Sequence, residues 1–317
     1  MPRVKIVNLG ITRARYALCG FVRYLRSAKP EILISNLMDV PVMLAKLITC
    51  SKAVVILCEH AHFSTRRNNT RNFNRKLWGW LSRLLYPFAD KIVAVSGASA
   101  NDLVDMGIVP RDKMCVIYNP VIPSNLQALQ KEKPAIAWFV EENAPVVLAV
   151  GRLEPPKDYE TLLRAFALLR NQRLRLVVLG EGAERAKLED LVRVLGLESR
   201  VLFPGFVKNP YACMVRAALF VHSSCYEGGP SVLMEAMACG VTPVVTDAPG
   251  GIREILGDGF RDYLVPVGDI LALAAAMERA LVKPYTPAAL RERARLFSEE
   301  ASIDAYEKLI GELLAEK

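Results

Sequence analysis

The sequence predicts an α/β protein of two doubly wound, Rossmann-like domains, and three observations carry that expectation. Short β-branched or apolar runs alternate with longer helical patterns along the 317 residues. The series divides in two at a polar stretch, "PVIPSNLQALQKEKP" at 120–134. Composition permits it: 52% hydrophobic and 23% charged residues describe a folded chain long enough for two ordinary domains.

In the first series, strands are predicted at "VKIVNL" (4–9), "ILISN" (32–36), "AVVILC" (53–58), "KIVAVS" (91–96) and "KMCVIYN" (113–119). The second series offers "PVVLAVG" (145–151), "LRLVVLG" (174–180), "RVLFPG" (200–205), "LFVHSS" (219–224) and "VTPVVTD" (241–247). "DYETLLRAFALLR" (158–170) and "AERAKLEDLVRVLG" (183–196) read as helices between them. Alternating βα units build parallel sheets covered on both faces. The expected organisation is a first domain over 1–130, a second over 131–300 and a terminal helix over 301–317. Ligands of such domains bind outside the carboxyl ends of the strands, here in the cleft between the domains.

Several classes drop out. The longest apolar runs fall far short of the roughly 20 residues a membrane span needs, and the N-terminus lacks a signal-peptide core. Seven scattered cysteines, with no C-x-x-C, suit a reducing cytosol better than a disulfide or zinc framework. Residues 1–120 carry 18 Lys/Arg against 7 Asp/Glu, whereas the remainder carries 23 against 26. The first half therefore faces something anionic. No nucleic-acid module is visible, so a membrane surface is preferred over nucleic acid. The segment 66–87, with six Arg/Lys, two Trp and Leu at 77, 81, 84 and 85, reads either as an interfacial helix or as one packing on the first sheet.

The chemistry gathers at two strand ends. In "AVGRLEPPKDYETLL" (149–163), Arg152 and Lys157 project from one βα turn, which suits a diphosphate or a merely solvated loop, and Asp158 or Thr161 can cap the next helix. In "CYEGGPSVLMEAMACG" (225–240), Gly228 and Gly229 permit a tight turn, and Pro230 suits the first helical position. The N–H groups of Ser231, Val232 and Leu233 then make an anion site. Glu227 and Glu235 flank this helix start. A nucleotide sugar has the matching layout, with sugar and ribose hydroxyls on either side of a diphosphate. The expected partners of both glutamates are hydroxyls, not cations.

These segments resemble the retaining glycosyltransferases of family 4, which have the GT-B fold. The resemblance rests on Glu-x7-Glu within "YEGGPSVLMEAMACGVTPVVTDAPGGIREIL", joined by "GRLEPPKDYETLLRAF", "VVLGEGAERAKLE" and "VLFPGFV" in the family's order over about 145–270. It implies that Arg152 and Lys157 bind the donor diphosphate, that Gly228–Leu233 cradle the distal phosphate, that Glu235 holds the ribose and that Glu227 faces the transferred sugar. In "ILCEHAHFS" it implies a histidine near the donor sugar, His60 first and His62 second. The implied reaction is hexosyl transfer with retention from a nucleoside diphosphate sugar, a UDP-sugar being favoured. The acceptor would be a glycan or a lipid-linked glycan, on the cytoplasmic face and peripheral to the membrane.

No metal or other cofactor is expected, because no Asp-x-Asp or ligand cluster appears and fixed cations take that part. The family's opening strand and glycine-rich loop are not found, so the first domain is expected to be incomplete at its N-terminus. That leaves an alternative, a non-catalytic or partner-dependent subunit that binds nucleotide sugar. A dinucleotide-dependent enzyme would need G-x-G-x-x-G after an early strand, and none occurs.

Overall fold

The computed structural model describes residues 7, 9, 17–36, 38–59, 80–140, 144–227 and 229–316. Its chain divides into two compact units: Met1–Tyr118 with Ala305–Lys317, and Asn119–Asp304.

In the first unit, β1 (Ile32–Asn36), β2 (Val54–Glu59), β3 (Lys91–Ala94) and β4 (Met114–Val116) pair in that order, all parallel. Strand β2 is buried along its whole length, as an apolar run between two neighbours should be. Its alternate residues serve opposite faces. Val55 and Leu57 join Val42, Met43, Ile92 and Leu103 on one side. Val54, Ile56 and Cys58 join Leu309 and Leu313 of the terminal helix Glu299–Ala315 on the other. The Tyr306 hydroxyl sits 3.3 Å from Cys58 Sγ, within the same unit. Most of the strand predicted at 4–9 lies outside the described residues, and so do residues 66–79 of the basic segment. Residues 80–85 are helical, with Leu81 and Leu85 packed into the core and Trp80 and Leu84 exposed.

The second unit holds a six-stranded parallel sheet in the order β10-β9-β8-β5-β6-β7. Its strands are β5 (Val146–Val150), β6 (Arg175–Leu179), β7 (Val201–Gly205), β8 (Leu219–His222), β9 (Pro243–Thr246) and β10 (Leu264–Val265). The chain winds outward from β5 through β6 to β7, returns to β8, and winds the other way. That reversal is the doubly wound pattern, and its switch point lies between β5 and β8. Leu162 and Phe166 of the helix Tyr159–Ala167 and Leu273 and Met277 of the helix Ile270–Val282 pack with Val147, Ala149, Leu176 and Val178 of the sheet. β10 was not foreseen: two residues are too few to show a periodic signal.

Candidate active site

The loops that follow β5 and β8 meet at the switch point. After β5 the chain makes a 3₁₀ turn, Pro155–Lys157, and enters the helix Tyr159–Ala167 through Asp158. Asp158 takes φ 46°, a left-handed conformation that costs a non-glycine residue on the order of 1–3 kcal/mol and tends to collect at functional turns. Its Oδ1 accepts from Thr161 N at 3.3 Å, so Asp158 is the cap. The turn is laced to the loop after β8. Ser223 Oγ donates to Lys157 O (2.8 Å), and Cys225 N donates to Pro156 O (2.8 Å).

A third loop closes the other side. Thr246 Oγ1 donates to Ser224 O at 2.7 Å, and Glu227 N donates to Pro249 O at 3.1 Å. Gly250 has φ 130°, and a Cβ there would stand 1.6 Å from the Glu227 carbonyl oxygen. Only glycine fits this position. The stretch "APGG" (248–251) thus acts as a brace that sets the height of the Glu227 loop.

This scaffold concentrates donors on one oxygen. Glu227 Oε1 accepts from Lys157 Nζ and, at 2.7 Å, from Ser224 Oγ. His222 Nε2 lies 3.1 Å from the same oxygen, close enough to pair but out of line for a hydrogen bond. The Glu227 and Lys157 side chains are only 13% and 20% exposed. Burial pushes the Glu227 carboxyl up, but the neighbouring His222 and Lys157 outweigh it and hold the carboxyl down to about 2. Burial, and secondarily the Glu227 charge, raises the Tyr159 phenol behind them. Gly151 leaves room for that phenol, since a Cβ there would stand 2.8 Å from the Tyr159 hydroxyl.

The helix Ser231–Cys239 starts beside this cluster. Pro230 is its cap and not its first helical residue, one position outside the place the sequence suggests. Leu233 N donates to Pro230 O (3.1 Å), and no side chain caps the end. Gly229 has open space where a Cβ would stand and no left-handed φ, so neither packing nor backbone demands glycine there. Further along, Glu235 Oε1 accepts from the Tyr211 hydroxyl at 3.0 Å. Burial raises the Glu235 carboxyl, and Tyr211 only partly offsets it.

The structure therefore unites Lys157 and Glu227 and adds His222 and Ser224, which sequence reasoning did not select. It corrects one expectation. In the chain without ligand, Glu227 pairs with a cation, Lys157, as well as with the Ser224 hydroxyl, because a carboxylate this buried needs a countercharge. Glu235 does have a hydroxyl partner, but it belongs to Tyr211. Arg152 leaves the same strand end as Lys157, yet its side chain is 77% exposed and pairs with Glu154 at 2.8 Å. Among the described residues no contact joins it to the Glu227 cluster. His60, His62 and Gly228 lie outside the described residues. Among the described residues no three His, Cys, Asp or Glu side chains converge to hold a metal, and no helix is long and apolar enough to cross a membrane.

Comparison with known proteins agrees with this layout. Residues 130–297 match the family model of the glycosyl transferases group 1, and residues 3–125 match that of glycosyltransferase family 4. A Campylobacter jejuni N-acetylgalactosamine-N,N'-diacetylbacillosaminyl-diphospho-undecaprenol 4-alpha-N-acetylgalactosaminyltransferase is 34% identical over 246 residues, 76% of this chain and 65% of the relative. The lipopolysaccharide core biosynthesis glycosyltransferase LpsE of Rhizobium meliloti is 35% identical over 53% of this chain and 50% of its own length. The chain thus spans between half and two thirds of these relatives. Among solved structures, Anabaena Alr3699/HepE in complex with UDP superposes with a TM-score of 0.75 at 22% identity, covering 94% of this chain and 82% of that one. A glycosyltransferase from Rickettsia africae gives 0.80 at 16% identity, covering 99% and 85%. These likenesses give the fold, GT-B.

Proposed function

We propose that this chain, which belongs to the glycosyl transferases group 1 family, moves a hexosyl unit from a UDP-sugar to an acceptor hydroxyl with retention of configuration. One observation carries the reading. A buried Lys157–Glu227 pair stands at the switch point of a doubly wound sheet, beside a helix start that no side chain caps. Such a place combines a fixed cation, a helix N-terminus and a carboxylate, which together match a diphosphate flanked by hydroxyls.

On this reading Lys157 and Arg152 meet the diphosphate, the latter after leaving Glu154. The backbone of Gly228–Leu233 holds the distal phosphate, Glu235 takes the ribose hydroxyls, and Glu227 orients the sugar. The bond from the anomeric carbon to the phosphate oxygen breaks, and a bond to the acceptor oxygen forms on the same face. The departing phosphate receives the acceptor's proton. Lys157, Arg152 and the helix end stabilise the charge that develops on it, by preorganised electrostatics and without a metal.

Uridine is chosen because the HepE structure of the same fold holds UDP. The lipid-linked acceptor is chosen because the Campylobacter relative is named for a diphospho-undecaprenol glycan. The basic first half would then lie on the anionic inner face of the membrane.

The test is an incubation with UDP-glucose, UDP-galactose and their N-acetylamino counterparts, together with polyprenyl-diphosphate-linked glycan acceptors. UDP release is followed, and the product anomer is read by NMR. An α-linked product from an α-linked donor is expected. An inverted product overturns retention. Donor binding without any turnover favours the nucleotide-sugar-binding subunit instead.

A further inference from the structure

His222, a buried histidine beside Glu227, has no part in the reading above. His222 ends β8, is 3% exposed, and stacks on Phe220 with ring centroids 6.3 Å apart. Its backbone carbonyl accepts from Thr246 Oγ1 at 3.2 Å, which ties the residue to β9. Its Nε2 is buried without an aligned hydrogen-bond partner, although it lies 3.1 Å from Glu227 Oε1. A buried polar nitrogen in that state costs free energy. Lys157 and Ser224 already occupy the oxygen it faces.

We infer that His222 is a positioning residue that takes over Glu227 Oε1 when Lys157 is recruited by the donor diphosphate. The inference rests on the proposed function, in which Lys157 serves the diphosphate and Glu227 serves the sugar. Lys157 has three N–H donors but a single charge, so its hold on Glu227 weakens as it swings toward the phosphate oxygens. As it turns to the phosphate oxygens, Glu227 keeps Ser224 and loses its strongest donor. A small turn of the imidazole brings Nε2–H into line and restores the second donor on the same oxygen. Oε1 then stays anchored, and Oε2 remains in place for a hydroxyl of the transferred sugar. His222 touches neither sugar nor phosphate in this arrangement. It acts through Glu227.

Two substitutions separate this role from packing. His222→Phe keeps a flat ring against Phe220 but removes the donor, and His222→Gln keeps an N–H near the Nε2 position. Binding is measured by titration calorimetry, first with UDP and then with whichever of UDP-glucose, UDP-galactose, UDP-N-acetylglucosamine and UDP-N-acetylgalactosamine binds the wild type most tightly. His222→Phe is expected to bind UDP within about twofold of wild type and to bind the UDP-sugar about tenfold more weakly. That ratio is the loss of one hydrogen bond to a charged group, at the lower end of its usual range. His222→Gln is expected to recover most of the loss. Equal weakening of UDP and UDP-sugar in His222→Phe overturns the inference in favour of a packing role, and no weakening of either overturns it outright. If the wild type itself binds no UDP, the proposed function fails, which is a separate result from a failure at His222.

Discussion

Acidification tests the Glu227 cluster without any ligand. The carboxyl is held at about 2 in the folded protein, against an ordinary glutamate value of about 4.3 in the unfolded chain. The folded value is depressed, so the stabilisation is present above the unfolded value and is lost as pH falls through the folded one. A difference of some two units corresponds to about 3 kcal/mol, and with 13% exposure of the side chain solvent screening removes little of it. By pH 3 more than half of that amount should be gone. The perturbation is Glu227→Gln, which cannot titrate. Urea unfolding of wild type and variant is followed from pH 7 to pH 2.5, and the difference between the two curves is taken so that other carboxylates cancel. Wild type should lose about 2 kcal/mol more than the variant on going from pH 6 to pH 3. Parallel curves over that range would refute the claim that Lys157 and His222 stabilise a buried, ionised Glu227.

Three further outcomes follow from the same geometry. Gly250→Ala should lower unfolding stability by on the order of 2–4 kcal/mol and abolish stabilisation by UDP, because the Cβ would displace the Glu227 carbonyl; wild-type melting would contradict the brace. Glu235→Gln should raise stability near neutral pH, since burial makes ionisation of this carboxyl costly, and it should weaken UDP binding, since an anionic acceptor for the ribose is lost. A variant that is less stable at pH 7 and binds UDP normally would contradict both statements. Sugar transfer should persist in excess EDTA, because fixed cations carry the diphosphate; loss of activity that is restored by added divalent metal would overturn the metal-free reading.

Much of this architecture was legible because parallel strands buried on both faces leave strong local signals. β1 matches its predicted segment residue for residue, and β2 to β9 fall within three residues of theirs at either end, whereas β10 has no predicted segment. The pairing of Lys157 with Glu227 was not legible. Seventy positions separate them, and each looked like a group reserved for ligand; only the βα topology shows that the two loops meet. His222 was hidden for a different reason: within "LFVHSS" a histidine reads as part of a buried strand, and nothing local points it toward Glu227. Tyr211 opens a four-residue helix, too short for periodicity, so its bond to Glu235 had no signal either. The brace at Gly250 left a trace in the "APGG" stretch, but its reason, a carbonyl oxygen where a Cβ would stand, is visible only in three dimensions.

The central claim is that the loops after β5 and β8 bind a nucleoside diphosphate. Thermal unfolding of the wild type with UDP, GDP, ADP and CMP, beside Glu235→Ala and Arg152→Ala, tests it most directly. At 100 times its dissociation constant a ligand adds about 2.7 kcal/mol, which for a unit of this size raises the midpoint by roughly 5–10 °C. UDP should stabilise the wild type by that amount and both variants markedly less. A well-folded wild type that no nucleotide stabilises, or variants that respond as fully as the wild type, would contradict the assignment of this site.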